Sequence, residues 1–557
     1  MNPSDRAKWV LLAIWIGINA LLFGVTFEKY NSSKEYYYLR VLTKSGLPWA
    51  RASATVINFN CLLILLPVCR NMLSFLRGLD CCGMGQNLQR LLDKNLKFHK
   101  VIAYAICLFT AIHIGAHVFN FENLVRAYDG TNLEHSLSIL GDSGDKTYIN
   151  PVRKQNSDPP TEVFRTVAGV SGFIITIMLI LMVTSSTELL RRSYFEVFWY
   201  THHLFVIFFV GLIVHGMQGL VRRQTNTDEH DPERCKGDIN KCRRLPHFES
   251  SGPQTWKWIV LPLSLYFIER CIRFVRSMQN VAITKVVKHP SNVIEIKMKK
   301  PGFNYSAGQY VFLQCPKISR LEWHPFTLTS SPEEETFSVH IRTVGDWTTS
   351  FSKACVGEGI VVNDLNNAPS ISVDGPFGTS SSGYFKYTTC VFIGAGIGVT
   401  PFASILKSIW HRHEHSCPSL QIQKIYFYWI CPDTNAFEWF AQLLESLESQ
   451  MAEKGNHGFL SYNIYLTRGW SKEEARNIMV RDERQSVDVI TGLRQKTHFG
   501  RPEWTNIFKT IANDNPSTDV GVFFCGPQSL SHTLHILCDQ YSTLQEGVKF
   551  FYNKENF

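Results

Sequence analysis

The stretch from Phe98 to Asn120, FHKVIAYAICLFTAIHIGAHVFN, is apolar enough to cross a bilayer yet carries His99, His113 and His117. An imidazole inside lipid costs free energy unless something uses it, so three in one apolar run call for a ligand. His99 and His113 lie 14 residues apart. On a helix that spacing returns to within about 40° of one face, about 21 Å further along the axis. A second run, YFEVFWYTHHLFVIFFVGLIVHG, carries His202, His203 and His215. Haem iron explains both runs: two irons would hang between two helices, one near each edge of a hydrocarbon layer roughly 30 Å thick. A single histidine here would more often be a buried hydrogen-bonding residue; two runs with the same long spacing favour metal. His202 and His215 are 13 residues apart, about 220° beyond whole turns, so either that helix is irregular or the two irons differ in azimuth. Spacing does not choose between His202 and His203.

The remaining chain divides into an apolar and a soluble half. With 557 residues, 45% hydrophobic and mean hydropathy of −0.06, it averages two unlike parts. Apolar runs at Trp9 to Phe27, Ala52 to Leu76, Phe98 to Asn120, Val163 to Val183, Tyr194 to Gly216 and Trp256 to Phe274 predict a six-span bundle, the first span a retained signal anchor. Arg90, Lys94, Lys97, Lys100, Arg191 and Arg192 place both termini in the cytosol, although Arg222, Arg223, Arg243 and Arg244 make the opposite loops basic too. This topology pairs His99 with His202 or His203 on the inner side and His113 with His215 on the outer. The net charge of +9 collects beside apolar runs, and no aromatic-interleaved basic stripe suits nucleic acid. Cys235 and Cys242, in a polar outer loop, are candidates for a disulfide. Asn31 begins a glycosylation sequon close to the first span.

Beyond Arg276, short β-rich runs divided by Gly and Pro predict a small antiparallel barrel. His324-Pro325-Phe326-Thr327 opens HPFTLTS, and HIRTVGDWT contributes Ile341, Arg342, Trp347 and Thr348. Hydroxyls and an aromatic at a strand end suit a flavin ring, and Arg342 with the Gly345 turn suits a pyrophosphate. After DGPFG, apolar strands alternate with helical stretches. Gly394, Gly396 and Gly398 join a strand to a helix capped near Thr400 and Pro401, where amides can receive a pyrophosphate. The third glycine comes too early for G-x-G-x-x-G, which weakens a dinucleotide fingerprint. Cys525-Gly526-Pro527 closes another strand where α/β sheets bind ligands. The expected domains are residues 1–278, 279–384 and 385–557.

The order of histidine spans, HPFTLTS, HIRxxGDWT, DGPFG, GAGIGVTPFAS, CGP and the terminal NKENF resembles the superoxide-generating NADPH oxidases over nearly the whole chain. KEYYYLR, LILMVTS, CRR and FYWIC lean toward the epithelial (colonic) type over the phagocyte flavocytochrome. The resemblance implies a ferric-reductase-like haem bundle, a flavin barrel and a ferredoxin-reductase-like nucleotide domain. Its cofactors would be FAD, NADPH and two b-type haems on His99, His113, His202 and His215. Arg51 and His117 would form an oxygen-reducing pocket beside the outer haem, Arg501 would meet the 2′-phosphate of NADPH, and Phe557 would gate the flavin. A second expected phosphate-binding Arg is replaced by Pro432, and Arg468 is an insertion that could substitute for it. Implied partners are a small membrane subunit, cytosolic SH3-containing organiser and activator proteins, a Rac-type GTPase and oxygen, with the chain in the plasma membrane. Competing readings are a ferric-chelate reductase and a non-enzymatic haem-bearing proton pathway.

Overall fold

Apolar runs become helices here because lipid offers no partner for backbone amides, and a helix satisfies them internally. In the computed structural model, the residues described are 3–78, 91–130, 133–141, 147–235, 238–289, 292–356, 368–414, 421–432, 438–453, 458–467, 487–488, 490–544 and 547–555. They form two units: Arg6–Cys69 with Lys94–Glu269, and Met1–Asp5 with Arg70–Asp93 and Arg270–Phe557.

Among the described residues, five helices are long and apolar enough to cross a membrane: Ala7–Ser32, Gly46–Val68, Asn95–Asp129, Val167–Ser185 and Phe195–Met217. The helical elements are α1 (Pro3–Ser32), α2 (Gly46–Ile64), α3 (Asn95–Asp129), α4 (Val167–Ser185), α5 (Phe195–His202), α6 (Phe205–Met217) and α7 (Thr255–Ser277). α7 corresponds to the expected sixth run, but Lys257, Glu269, Arg270, Arg273 and Arg276 dilute its apolar character. Two of the boundaries that differ from the sequence expectation have a local cause. The second apolar run reaches Leu76, but α2 stops at Ile64 and a 3₁₀ turn through Pro67 separates it from a helix at Arg70–Gly78, because proline lacks an N–H and obstructs the preceding turn. The fourth run begins at Val163, but the Thr166 side chain accepts from Gly169 N–H and starts α4 at Val167.

Helices α2 and α3 approach closely where Gly46 meets Asn120, whose Oδ1 occupies the space a Cβ at position 46 would need. Ile14, Leu21, Leu108, Val118, Phe173 and Val210 are exposed, the outward apolar surface expected of a lipid-facing unit. In the polar region, β1 (Arg222–Gln224) pairs with β2 (Phe248–Ser250), and Cys235 and Cys242 form a disulfide.

The second unit holds two antiparallel three-stranded sheets. One orders β3 (Ala282–His289), β4 (Val293–Lys299) and β7 (Phe337–Arg342); the other orders β6 (His324–Thr327), β5 (Tyr310–Gln314) and β8 (Ser372–Phe377). A Leu328–Val339 bridge joins them around Ile294, Ile296, Val311, Leu313, Val339 and Ile341. Helix α8 (Asp346–Val356) follows β7. Next comes a six-stranded parallel sheet, ordered β12 (His498–Phe499), β11 (Leu460–Leu466), β10 (Lys424–Cys431), β9 (Thr389–Ala395), β13 (Asp519–Cys525), β14 (Lys549–Lys554). Its strands are nearly continuous apolar runs because both faces are covered.

Candidate functional site

In the membrane unit, α3 carries His99 and His113, and α5 and α6 carry the imidazoles of His202 and His215 that face them. The His99 and His202 ring centroids lie 6.2 Å apart, and those of His113 and His215 lie 6.1 Å apart. An iron held between two imidazoles would separate their centroids by roughly 6.3 Å, from metal–nitrogen bonds of about 2.0 Å and about 1.2 Å from nitrogen to centroid. The residues therefore fit haem iron. Each ring is also oriented from behind: Nδ1 contacts the Ile64 carbonyl for His99 (2.9 Å), the Ala50 carbonyl for His113 (3.0 Å), the Ala168 carbonyl for His215 (2.8 Å) and Ser186 Oγ for His202 (3.2 Å). Donation from Nδ1 leaves the Nε2 lone pair for a metal. His203 behaves differently. Its Nδ1 donates to the Trp199 carbonyl and its ring packs on Trp199 at 4.8 Å. The helix is interrupted between His202 and Phe205, the first of the two alternatives left open by the 13-residue spacing.

His117 stands edge-on to His113, centroids 4.5 Å apart. Arg51, one turn beyond Gly46 on α2, lies over the Tyr30 ring at 5.1 Å, and its buried Nε has no hydrogen-bond partner. Small residues keep space at this end: a Cβ on Gly172 would sit 3.1 Å from His215 Cε1. Sequence reasoning missed Ser186 and Ser171, the latter 3.3 Å from His215 Nδ1. A hydroxyl inside an apolar run, opposite a histidine run, was the available signal.

In the soluble unit, His324 stacks on Trp347 with centroids 4.3 Å apart, and Phe326 lies 6.0 Å from the same indole. Trp347 is buried with its Nε1–H unpartnered, a donor of the kind a bound flavin could satisfy. Thr348 Oγ1 accepts from the Val344 and Gly345 amides (both 3.1 Å), fixing the turn at the start of α8, where exposed Arg342 ends β7. Pro325 is exposed. The Ile341 side chain lies in the barrel core, in the same cluster as the Trp347 indole, so Ile341 can face a ligand only through its backbone. These residues fit FAD.

Thr400 Oγ1, at the N-terminus of α9 (Thr400–Glu414), donates to Thr327 Oγ1 (3.4 Å), and Ser404 Oγ donates to the Ser330 carbonyl (2.6 Å), tying the nucleotide helix to the flavin strand. The parallel sheet reverses its strand order between β9 and β13, where α/β sheets bind ligands. Gly394 is registered beside Cys525 there. A Cβ on Gly398 would collide with the Cys525 carbonyl oxygen, and one on Gly526 would lie 2.8 Å from Ala395 Cβ. Gly396 takes φ +57°, and its carbonyl accepts from Trp429 Nε1 (3.1 Å). The closely spaced glycines thus serve strand-to-strand approach, and Thr400 and Pro401 open the helix beyond them. Arg501 is exposed just past β12, three strands from β9 on the side of Pro432. Arg468 and Phe557 lie outside the described residues.

Comparison with known proteins places this arrangement in a class. Residues 53–213 match the ferric reductase like transmembrane component, 278–381 an FAD-binding domain and 387–539 the ferric reductase NAD binding domain. The chain is thus a membrane oxidoreductase with flavin- and nicotinamide-nucleotide-binding domains. It is 49% identical to human NADPH oxidase 3 over 100% of this chain and 99% of that one, and 48% identical to mouse NADPH oxidase 1 over 98% and 93%. It is also 39% identical to a superoxide-generating NADPH oxidase heavy chain from Dictyostelium discoideum, over 100% and 97%. The chain belongs to the NADPH oxidase family.

Proposed function

We propose that the chain moves electrons from cytosolic NADPH, through FAD and two b-type haems, to oxygen on the far side of the plasma membrane, producing superoxide. The observation that carries this reading is the pair of facing imidazole couples at 6.2 and 6.1 Å, each ring oriented through Nδ1. FAD when bound turns two-electron hydride chemistry into single electrons, and haem carries them one at a time. His99 with His202 would hold one haem and His113 with His215 the other. The group held by His113 and His215 would supply single electrons for the reduction of oxygen at that end of the bundle. Arg51 and His117 are suited to that reduction, because the unpartnered Arg51 Nε offers charge and a hydrogen bond to a developing oxygen anion in a low-dielectric site. His324, Pro325, Phe326, Thr327, Arg342, Trp347 and Thr348 would hold FAD, with Ile341 contributing backbone. The Gly394–Gly398 turn, Thr400, Pro401, Cys525, Gly526 and Pro527 would hold NADPH, with Arg501 on its 2′-phosphate.

The proposed domains are 1–278, 279–384 and 385–557, with α7 as the sixth span and both termini in the cytosol. The family likeness supports regulation by a small membrane subunit, SH3-containing organiser and activator proteins and a Rac-type GTPase, and the motifs KEYYYLR and FYWIC support the epithelial type. Haem counting tests the central geometry. The purified chain should contain two haems and one FAD, lose one haem in His113→Leu or His215→Leu, and keep both in His203→Leu. Loss of haem in the His203 variant with retention in His202→Leu would overturn the assignment.

A further inference from the structure

Strands β3, β4 and β7 bury Val286, Ile294, Ile296, Val339 and Ile341 in the barrel core. Alternation turns the intervening side chains to the opposite face, where the register sets Glu295 directly across from His340 and from Val287, two residues before His289. We propose that His289, Glu295 and His340 form a binding site for a divalent cation of the zinc class.

One ligand atom from each residue lies within 4.8 Å of the others. His289 Nε2 is 3.4 Å from Glu295 Oε2. A tetrahedron with bonds of about 2.0–2.1 Å has edges of roughly 3.3 Å, so one edge is already at ligand spacing. Neighbours hold two of the three side chains: Thr329 Oγ1 is 2.8 Å from His340 Nδ1, and Lys297 Nζ is 3.7 Å from Glu295 Oε1. Outer partners of this kind orient metal-binding imidazole and carboxylate. The two imidazoles lie nearly parallel, 22° between planes and centroids 5.5 Å apart.

An ordinary ion pair would need one histidine for one carboxylate. The second imidazole, that of His340, stands directly across the register from the same carboxylate, so both converge on Glu295. The site is not sealed: the His289 and Glu295 side chains are 17% and 16% exposed, leaving an entry path and room for water as a fourth ligand. Two imidazoles and a carboxylate favour zinc over calcium or magnesium, which take oxygen ligands. The only other such cluster among the described residues, His230 with Cys235 and Cys242, has its sulfurs committed to a disulfide. Bound metal would pin the edge strand β3 to β7 across β4.

The full chain, purified in detergent with its cofactors, is equilibrated with zinc chloride in a chelator-buffered series and its zinc counted by mass spectrometry. Wild type should hold one more zinc than His289→Gln or Glu295→Gln, with affinity at that site weakened more than about 100-fold in each variant while FAD content stays the same. Equal zinc binding in wild type and both variants overturns the proposal. If the variants lose FAD, the zinc K-edge of the wild type decides, since haem iron does not absorb there. Two imidazoles and oxygen at about 2.0–2.1 Å uphold the site, and sulfur at about 2.3 Å or no imidazole refutes it.

Discussion

Arg501 is the side chain proposed to set nucleotide preference. It is exposed just past an edge strand, near Pro432, and a charge-assisted hydrogen bond to phosphate contributes roughly 1.5–3 kcal/mol. Arg501→Ala should therefore lower the NADPH-over-NADH ratio of kcat/KM by about ten- to a hundredfold. An unchanged ratio removes Arg501 from the phosphate site, and a collapse confined to Arg468→Ala moves the role to that residue. At this scale much of the site was legible. Histidine spacing and the HPFTLTS and HIRTVGDWT segments led to the rings that face each other or stack. What sequence could not supply was the choice of His202 over His203 on spacing alone. In the structure the two rings part by placement: His202 stands 6.2 Å from His99, whereas His203 packs on Trp199 at 4.8 Å. Such partners lie on another helix or one turn away, and no local periodicity encodes them.

Among the elements, the glycine turn and the junction around Asp374 are most sensitive to change. Gly398→Ala drives a methyl into the backbone carbonyl of Cys525, which cannot retreat without parting β9 from β13. It should abolish detectable NADPH binding by calorimetry while leaving FAD bound; normal NADPH affinity would show that this close approach is dispensable. The fully buried Asp374 carboxylate receives Arg273 Nε (2.9 Å) and Arg276 Nη1 (3.1 Å), and Arg276 also donates to Asn71 Oδ1 (2.8 Å). Removing one partner of a buried pair costs about 3–5 kcal/mol, so Asp374→Ala should lower the thermal midpoint of FAD release by several degrees or more. A midpoint equal to wild type would mean that the arginines find solvent without cost. Element boundaries were less legible than element types. Pro67 announced an interruption, but not that the Arg70–Gly78 helix joins the soluble unit, because membership is decided by contacts such as Asn71 with Arg276, distant in sequence.

For the whole molecule, apolar helices bearing paired imidazoles and a soluble flavin–nucleotide unit have a shared purpose only if electrons cross the bilayer. The two-part composition made that division readable, since no single domain is at once so apolar and so rich in Gly- and Pro-bounded strands. The chain should bind its cofactors alone yet oxidise NADPH slowly until partners engage. Vesicles reconstituted with the chain and the proposed membrane subunit and cytosolic activators, with cytochrome c trapped inside and NADPH added outside, test whether electrons cross the bilayer to oxygen. NADPH does not cross lipid, so only chains with the nucleotide domain outward can respond. The trapped cytochrome c should be reduced, and superoxide dismutase trapped in the lumen should abolish that reduction. Reduction insensitive to that dismutase, or NADPH consumption with superoxide appearing only outside, would contradict electron transfer across the bilayer to oxygen.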